Sequence, residues 1–299
     1  MNAVHTTHPD PRTSTDSRRP AMRAIDIPLP GPGDGLRVGR AQQLRLIDEV
    51  AGLNPEQWAT VTECPAWTVR DMVGHVASAA RFPGNPLLYV IDAQLGCFRY
   101  RGRSSLDAAN EVGIDRHRSL STAELLDLIR RRAMSGRDTP GWMRRRLTND
   151  AALPSYTTIG SFVDTILTRD TWLHRQDIGR AVGREPVSDP TDAEVVEQVV
   201  RDLGLGWTGP GVELRLTGPE GGVWALGATG RAEGGGFAMG SPEVAEGEGS
   251  VTDSPGVAEA VLPAVEFMRH LSGRTVAAGM FDGVPDAVRP ALEAARVPF

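Results

Sequence analysis

The sequence predicts an α+β protein in which an N-terminal four-helix bundle precedes a small α+β unit. Three observations predict it. Apolar residues recur at helical spacing in successive segments before Gly183, with Phe162, Ile166, Leu167, Trp172, Leu173, Ile178 and Val182 forming the strongest. Two capping boxes, Thr68-Val69-Arg70-Asp71 and Ser121-Thr122-Ala123-Glu124, open helices in which a side chain at each end satisfies a free backbone N–H. Beyond residue 200 the period shortens to two in Val212-Glu213-Leu214-Arg215-Leu216, as a half-buried strand requires.

In order along the chain, residues 1–34 mix Thr, Ser, Asp, Arg, His and Pro and are expected to be a disordered tail. Residues 35–186 form the expected bundle. Leu44, Ile47 and Val50 mark its first helix, and Asn54-Pro55 ends that helix and opens a short turn through Trp58. The helix after Thr68 carries Val69, Met72, Val73, Val76 and Ala80 on one stripe until Pro83-Gly84 stops it. Further helices are expected at about 106–118, after Ser121, and from Gly160 to Val182, where Gly183 supplies the terminating left-handed residue. Residues 84–103 and 136–158 read as loops. Residues 187–299 form the second expected unit: a helix through Val200, strands at 212–216 and 222–226 around a Pro219-Glu220-Gly221-Gly222 turn, and helices at 256–272 and 285–296. Gly234-Gly235-Gly236 lacks the strand and helix that a nucleotide cradle needs.

Composition excludes several classes. The 299 residues carry a net charge of −6, which argues against nucleic acid held by a general basic field. There is no apolar run of membrane-spanning length and no signal-peptide pattern, and two cysteines, Cys64 and Cys97, suit a reducing compartment, so a cytoplasmic location is expected. All 32 basic residues are arginine, which rules out lysine Schiff-base and P-loop chemistry and fits a GC-rich source.

Six histidines are candidates for chemistry. His5 and His8 fall in the tail, and His117 and His270, each beside arginine, read as surface residues. His75 and His174 lie within apolar amphipathic helices. Asp170 precedes His174 by four residues, so the two side chains share one helix face. Two ligands at that spacing can grip one ion, and His75 from a second helix could complete a set with an open position, as catalytic metals need. The same spacing also suits a helix-surface hydrogen bond, and Asp177 competes for the His174 imidazole. Cys64 and Cys97 read as packing residues, and Trp67 and Trp172 as core or pocket wall.

Two runs then carry a resemblance. Glu63-Cys64-Pro65-Ala66-Trp67-Thr68-Val69-Arg70-Asp71-Met72-Val73-Gly74-His75-Val76 resembles the CPGWTVRDVVAHL-type segment of the mycothiol-dependent maleylpyruvate isomerase family, one of the DinB-like metal-binding four-helix bundles. Arg169-Asp170-Thr171-Trp172-Leu173-His174-Arg175-Gln176-Asp177-Ile178-Gly179-Arg180-Ala181-Val182-Gly183 resembles that family's ExWxHxxDIxRAxG helix. The similarity covers about residues 36–185. The remainder is similar, more loosely, to the family's companion domain of sterol-carrier-protein type, with Phe267 to Arg274 as its closing helix.

The resemblance implies a divalent metal, zinc or else Fe(II) or Ni(II), on His75, Asp170 and His174, with aspartate where the family usually has glutamate. It also implies mycothiol as a low-molecular-weight thiol cosubstrate, a small electrophilic substrate, and isomerase or S-transferase chemistry; the lysine-free composition fits an actinobacterial source, where that thiol occurs. Arg274, in a Gly-Arg pair similar to the family's, is expected to face the cleft and bind an anionic substrate bidentately. Two alternatives stand beside this: a DinB-like metalloenzyme with thiol-independent chemistry, and a non-catalytic module holding metal for structure.

Overall fold

A computed structural model describes residues 21–148, 157–227 and 257–299. The helices are α1 (Pro32–Val50), α2 (Pro55–Trp58), α3 (Val69–Ala79), α4 (Leu87–Arg99), α5 (Ser105–His117), α6 (Thr122–Ala133), α7 (Gly141–Arg144) and α8 (Ile159–Ser161). A π-helical turn, Phe162–Ile166, leads into α9 (Leu167–Val182), followed by α10 (Pro190–Gly206), α11 (Ala264–Leu271) and α12 (Arg289–Ala294). Four strands, β1 (Met22–Arg23), β2 (Val212–Thr217), β3 (Gly222–Leu226) and β4 (Ala258–Pro263), form one mixed sheet in the order β1-β3-β2-β4. The architecture is α+β, as the sequence predicts.

Helices α1, α3, α6 and α9 close around Leu46, Ile47, Val50, Met72, Val73, Val76, Leu125, Ile129 and Ile178. Their caps form as expected. Thr68 and Asp71 satisfy each other's backbone N–H groups at the start of α3, and Ser121 and Glu124 do the same for α6. Gly183 ends α9 at φ +69°, a conformation that disfavours any side chain. A second core lies between α10, α11 and the sheet. Val38 of α1 and Trp172 and Leu173 of α9 belong to it, so the bundle and the sheet share buried side chains.

Several expectations are corrected. Residues 21–34 are not a tail. Met22–Arg23 pair in parallel with Trp224–Ala225, and Ala24 and Ile27 are buried. Gly204 makes this possible, because a Cβ there would stand 2.7 Å from that of Ala24. Residues 1–20, with His5 and His8, and Gly234-Gly235-Gly236 lie outside the described residues. Residues 258–263 form a strand: Ala260 and Leu262 point inward while Val261 is exposed, and β4 pairs in parallel with β2. The expected loop 84–103 contains α4, which packs against α5. Cys97 is exposed and Cys64 half-buried.

His117 and His270 are buried: helical geometry turns Arg116 and Arg118 towards solvent beside His117, and Arg269 beside His270 is itself buried. The Nδ1 of His117 lies 2.9 Å from the Gly113 carbonyl oxygen, and His270 Nε2 lies 3.1 Å from that of Leu292. Burial, and next the charge of Arg132, push the His117 imidazole down to about 4, with Arg81 and Arg116 adding to the effect. The unfolded imidazole titrates near 6.5. Below that pH the unfolded chain binds the extra proton, so the stabilisation present above pH 6.5 is lost as pH falls towards 4. His117→Gln is expected to flatten this loss in urea unfolding between pH 7 and pH 4.5. Parallel curves for the two proteins would remove the assignment.

Candidate metal centre

Helix α3 supplies His75, and α9 supplies Asp170 and His174 from successive turns. His75 Nε2 is 3.0 Å from Asp170 Oδ2, and His174 Nε2 is 3.2 Å from Oδ1. One potential ligand atom from each residue lies within 4.8 Å of the others. The rings of His75 and His174 stand edge-on at 5.1 Å. Aspartate therefore reaches both imidazoles despite being a methylene shorter than glutamate.

The surroundings fix these groups. Trp67 stacks on His75 at 5.1 Å, and its indole N–H donates to Glu111 at 3.3 Å. The turn that carries Trp67 is held by the Thr62–Trp67 backbone bond. His174 Nδ1 lies 3.3 Å from Asp177 Oδ2. The Asp177 carboxylate is fully buried and also receives Arg269 Nη1 at 3.2 Å and Arg274 Nη2 at 2.8 Å. Arg269 donates to Glu63 as well, which ties α11 to the turn before α3. Arg274 lies on the wall of a cavity of about 350 Å³ that is also lined by Cys64, Trp67, Asn110 and the three clustered residues. Sequence reasoning did not single out Arg269, Glu63 or Glu111. The one available signal was an arginine, Arg269, inside the apolar run Phe267-Met268 to Leu271.

Charge is concentrated here. Burial would raise the Asp170 pKa, but the His75 and His174 charges outweigh it and hold the carboxyl well below the usual range. Burial would lower His174, but Asp170, aided by Asp177, lifts it to about 9. Asp177 is held at about 2: its burial is outweighed by hydrogen bonds from His174 and Arg274.

The donor set fits a cation. His174 Nε2 is buried and, though close to Asp170, is not aligned for a hydrogen bond. Without an ion, the proton that Asp170 and Asp177 favour on His174 supplies the positive charge here; a divalent ion would displace that proton and take Nε2 and the Asp170 carboxylate as ligands. Ligand atoms this close suit an ion with bonds of about 2.0–2.2 Å, and two imidazoles with one carboxylate are typical ligands of a catalytic divalent metal.

Fold and cluster together define a helix-bundle protein with a buried two-histidine, one-carboxylate centre. Residues 40–179 match the family model described as the mycothiol maleylpyruvate isomerase N-terminal domain. Two solved structures are similar to the chain. One is a histidine-to-alanine mutant of the mycothiol-dependent maleylpyruvate isomerase, at 16% identity and TM-score 0.49, covering 88% of this chain and 94% of that one. The other is the mycothiol-dependent maleylpyruvate isomerase itself, at 16% identity and TM-score 0.47, covering 85% and 92%. A comparison with curated proteins gave no match. Among the described residues no helix is long and apolar enough to cross a membrane.

Proposed function

We propose that this chain is a cytoplasmic, metal-dependent enzyme that uses a low-molecular-weight thiol, mycothiol, on a small electrophilic substrate bearing an anionic group. The observation that carries the proposal is the convergence of His75, Asp170 and His174 on one point of a cavity wall. The three would hold a divalent ion, with zinc first and Fe(II) or Ni(II) compatible with the same donors. When bound, such an ion supplies Lewis acidity and lowers the pKa of a thiol at its open position.

The chain's own groups supply the rest. Asp177 orients His174, and Trp67 fixes the ring plane of His75. Burial pushes the Cys64 thiol above its ordinary pKa, against the opposing charge of Arg274, which disfavours the protein's own sulfur as the nucleophile. In the isomerisation the thiolate sulfur bonds to one carbon of a conjugated double bond and the π electrons move to the conjugating carbonyl. The carbon–carbon bond, now single, rotates, and the electrons return as the same thiolate leaves. In S-transfer the adduct is instead protonated and released.

Arg274 donates to Asp177 through Nε and Nη2, which leaves Nη1 without a partner among the described residues and available to a substrate carboxylate. Arg274→Ala is expected to raise KM roughly 10–100-fold, the loss of a charged hydrogen bond, with a smaller effect on kcat and unchanged metal content. Unchanged KM and kcat would withdraw the role. The proposal as a whole is tested by elemental analysis of purified protein and an activity screen on unsaturated keto acids with and without mycothiol. Metal-containing protein that is equally active without thiol would support thiol-independent chemistry instead.

A further inference from the structure

We propose that the chain carries a second ligand site, for an oxyanion on a small apolar body, at the end of the bundle where α1 and the C-terminal ends of α3 and α6 meet the start of α9. The site is a cavity of about 510 Å³. It is bordered by five arginines, Arg40, Arg81, Arg131, Arg132 and Arg137, against a single carboxylate, Asp164, which is already engaged by Arg144. It shares Ala79 and Leu167 with the cavity of the metal centre and includes none of His75, Asp170 and His174. The proposal therefore does not depend on the function proposed above.

The arginines of this cavity lack counter-charge. Arg131 is paired with Asp127, and Arg81 with Asp92, which Arg116 shares. Arg40, Arg132 and Arg137 reach no carboxylate among the described residues. Arg40 donates from Nε to the Ala133 carbonyl at 2.9 Å, and Arg132 donates from Nη1 to the Ala77 carbonyl. These carbonyls are helix-end partial charges, not anions. Arg132 is half-buried, and the charged groups acting on it, Arg81, Arg131 and Arg116, are all cations. Burial, with their repulsion, pushes it down to about 10. The side chain of Arg81 is 9% exposed, and its buried Nε has no hydrogen-bond partner. Buried cations are ordinarily paired, because removing a charge from water is costly unless an opposite charge replaces the solvent. A guest oxyanion would supply that charge.

The remaining wall decides what carries the oxyanion. Leu36, Leu88, Leu128, Val163 and Leu167 border the same cavity, so the fitting ligand joins an anionic head to an apolar ring or short chain. Guanidinium forks bind both phosphate and carboxylate bidentately, so either group can serve as the anionic head.

The test is calorimetric titration of the full-length protein with phenyl phosphate, benzoate and inorganic phosphate. The expected result is saturable one-to-one binding of phenyl phosphate or benzoate, the tighter of the two naming the head group. Inorganic phosphate, which lacks the apolar body, should bind at least about 10-fold more weakly, since even one buried aliphatic-sized contact is worth that much. Arg132→Gln and Arg40→Gln should each lower affinity about 10-fold or more. Arg137→Gln, on an exposed side chain whose loss does not threaten the fold, should weaken binding as well. His174→Ala should leave affinity unchanged. Absence of saturable binding, equal affinity in all three arginine variants, or loss of binding in His174→Ala would overturn the proposal, the last because the anion would then be seated at the metal centre.

Discussion

Asp170→Ala is expected to lower metal affinity on the order of 100-fold or more, and His174→Ala or His75→Ala to abolish stoichiometric binding, while each protein stays folded. The expectation rests on the cluster, in which Asp170 is the one carboxylate facing both imidazoles, at 3.0 and 3.2 Å. Changes to partners that only orient a ligand already cost 10–100-fold, so losing a ligand should cost at least as much. A chain of this length holds a core without metal support. Asp170→Glu should retain metal, because the family pattern that this helix resembles has glutamate there. Asp177→Asn should fall between, since it alters only what holds His174 Nδ1. Competition against a chromophoric chelator measures all five variants. Wild-type affinity in Asp170→Ala would mean that the ion, if bound, uses another group, and would remove the basis for carrying the family's chemistry to this chain.

Arg175→Ala is expected to destabilise the fold by about 3–5 kcal/mol, the cost of breaking a buried ion pair from one side. The Arg175 guanidinium is fully buried and spends every donor. It bonds Glu49 from Nε and Nη2, Gln42 and Asp192 from Nη1, and the Val187 carbonyl from Nη2. These partners belong to α1, to α10 and to the segment between α9 and α10. Removing the cation leaves Asp192, whose side chain is 2% exposed, near Glu49 without its counter-charge. Guanidinium-chloride unfolding measures the effect, and a loss below about 1 kcal/mol would show that water or rearrangement replaces the pairing.

What the sequence made legible was local. The Thr68–Asp71 and Ser121–Glu124 boxes form because each involves residues three apart on one chain segment, and Gly183 ends α9 for an equally local reason. Asp170 and His174 were legible from helical spacing. The choice between Asp170 and Asp177 as partner of His174 was not, and the structure sets one carboxylate beside each ring nitrogen, Asp177 at Nδ1 and Asp170 at Nε2. Long-range pairing was illegible. β1 is two residues long and its partner β3 lies some two hundred residues away. β4 runs directly into α11, so its period of two was hidden by the helical period that follows. The burial of His117 is not legible from its neighbours, because flanking charges say nothing about the face on which a helical residue sits. Arg269, central to holding Asp177, depends on a contact between α9 and α11 that no local pattern encodes.

The pairing of β1 with β3 sets an order on biosynthesis. Met22 and Arg23 leave the ribosome early, but their partners Trp224 and Ala225 are translated some two hundred residues later, after the bundle. At roughly 5–20 residues per second the wait is about 10–40 seconds, long enough for helices to form and pack many times over. The nascent bundle must therefore mature with its leading segment unmatched, and with Val38, Trp172 and Leu173 still lacking the apolar neighbours that the sheet will bring. Closing the sheet is the step that takes these side chains out of water.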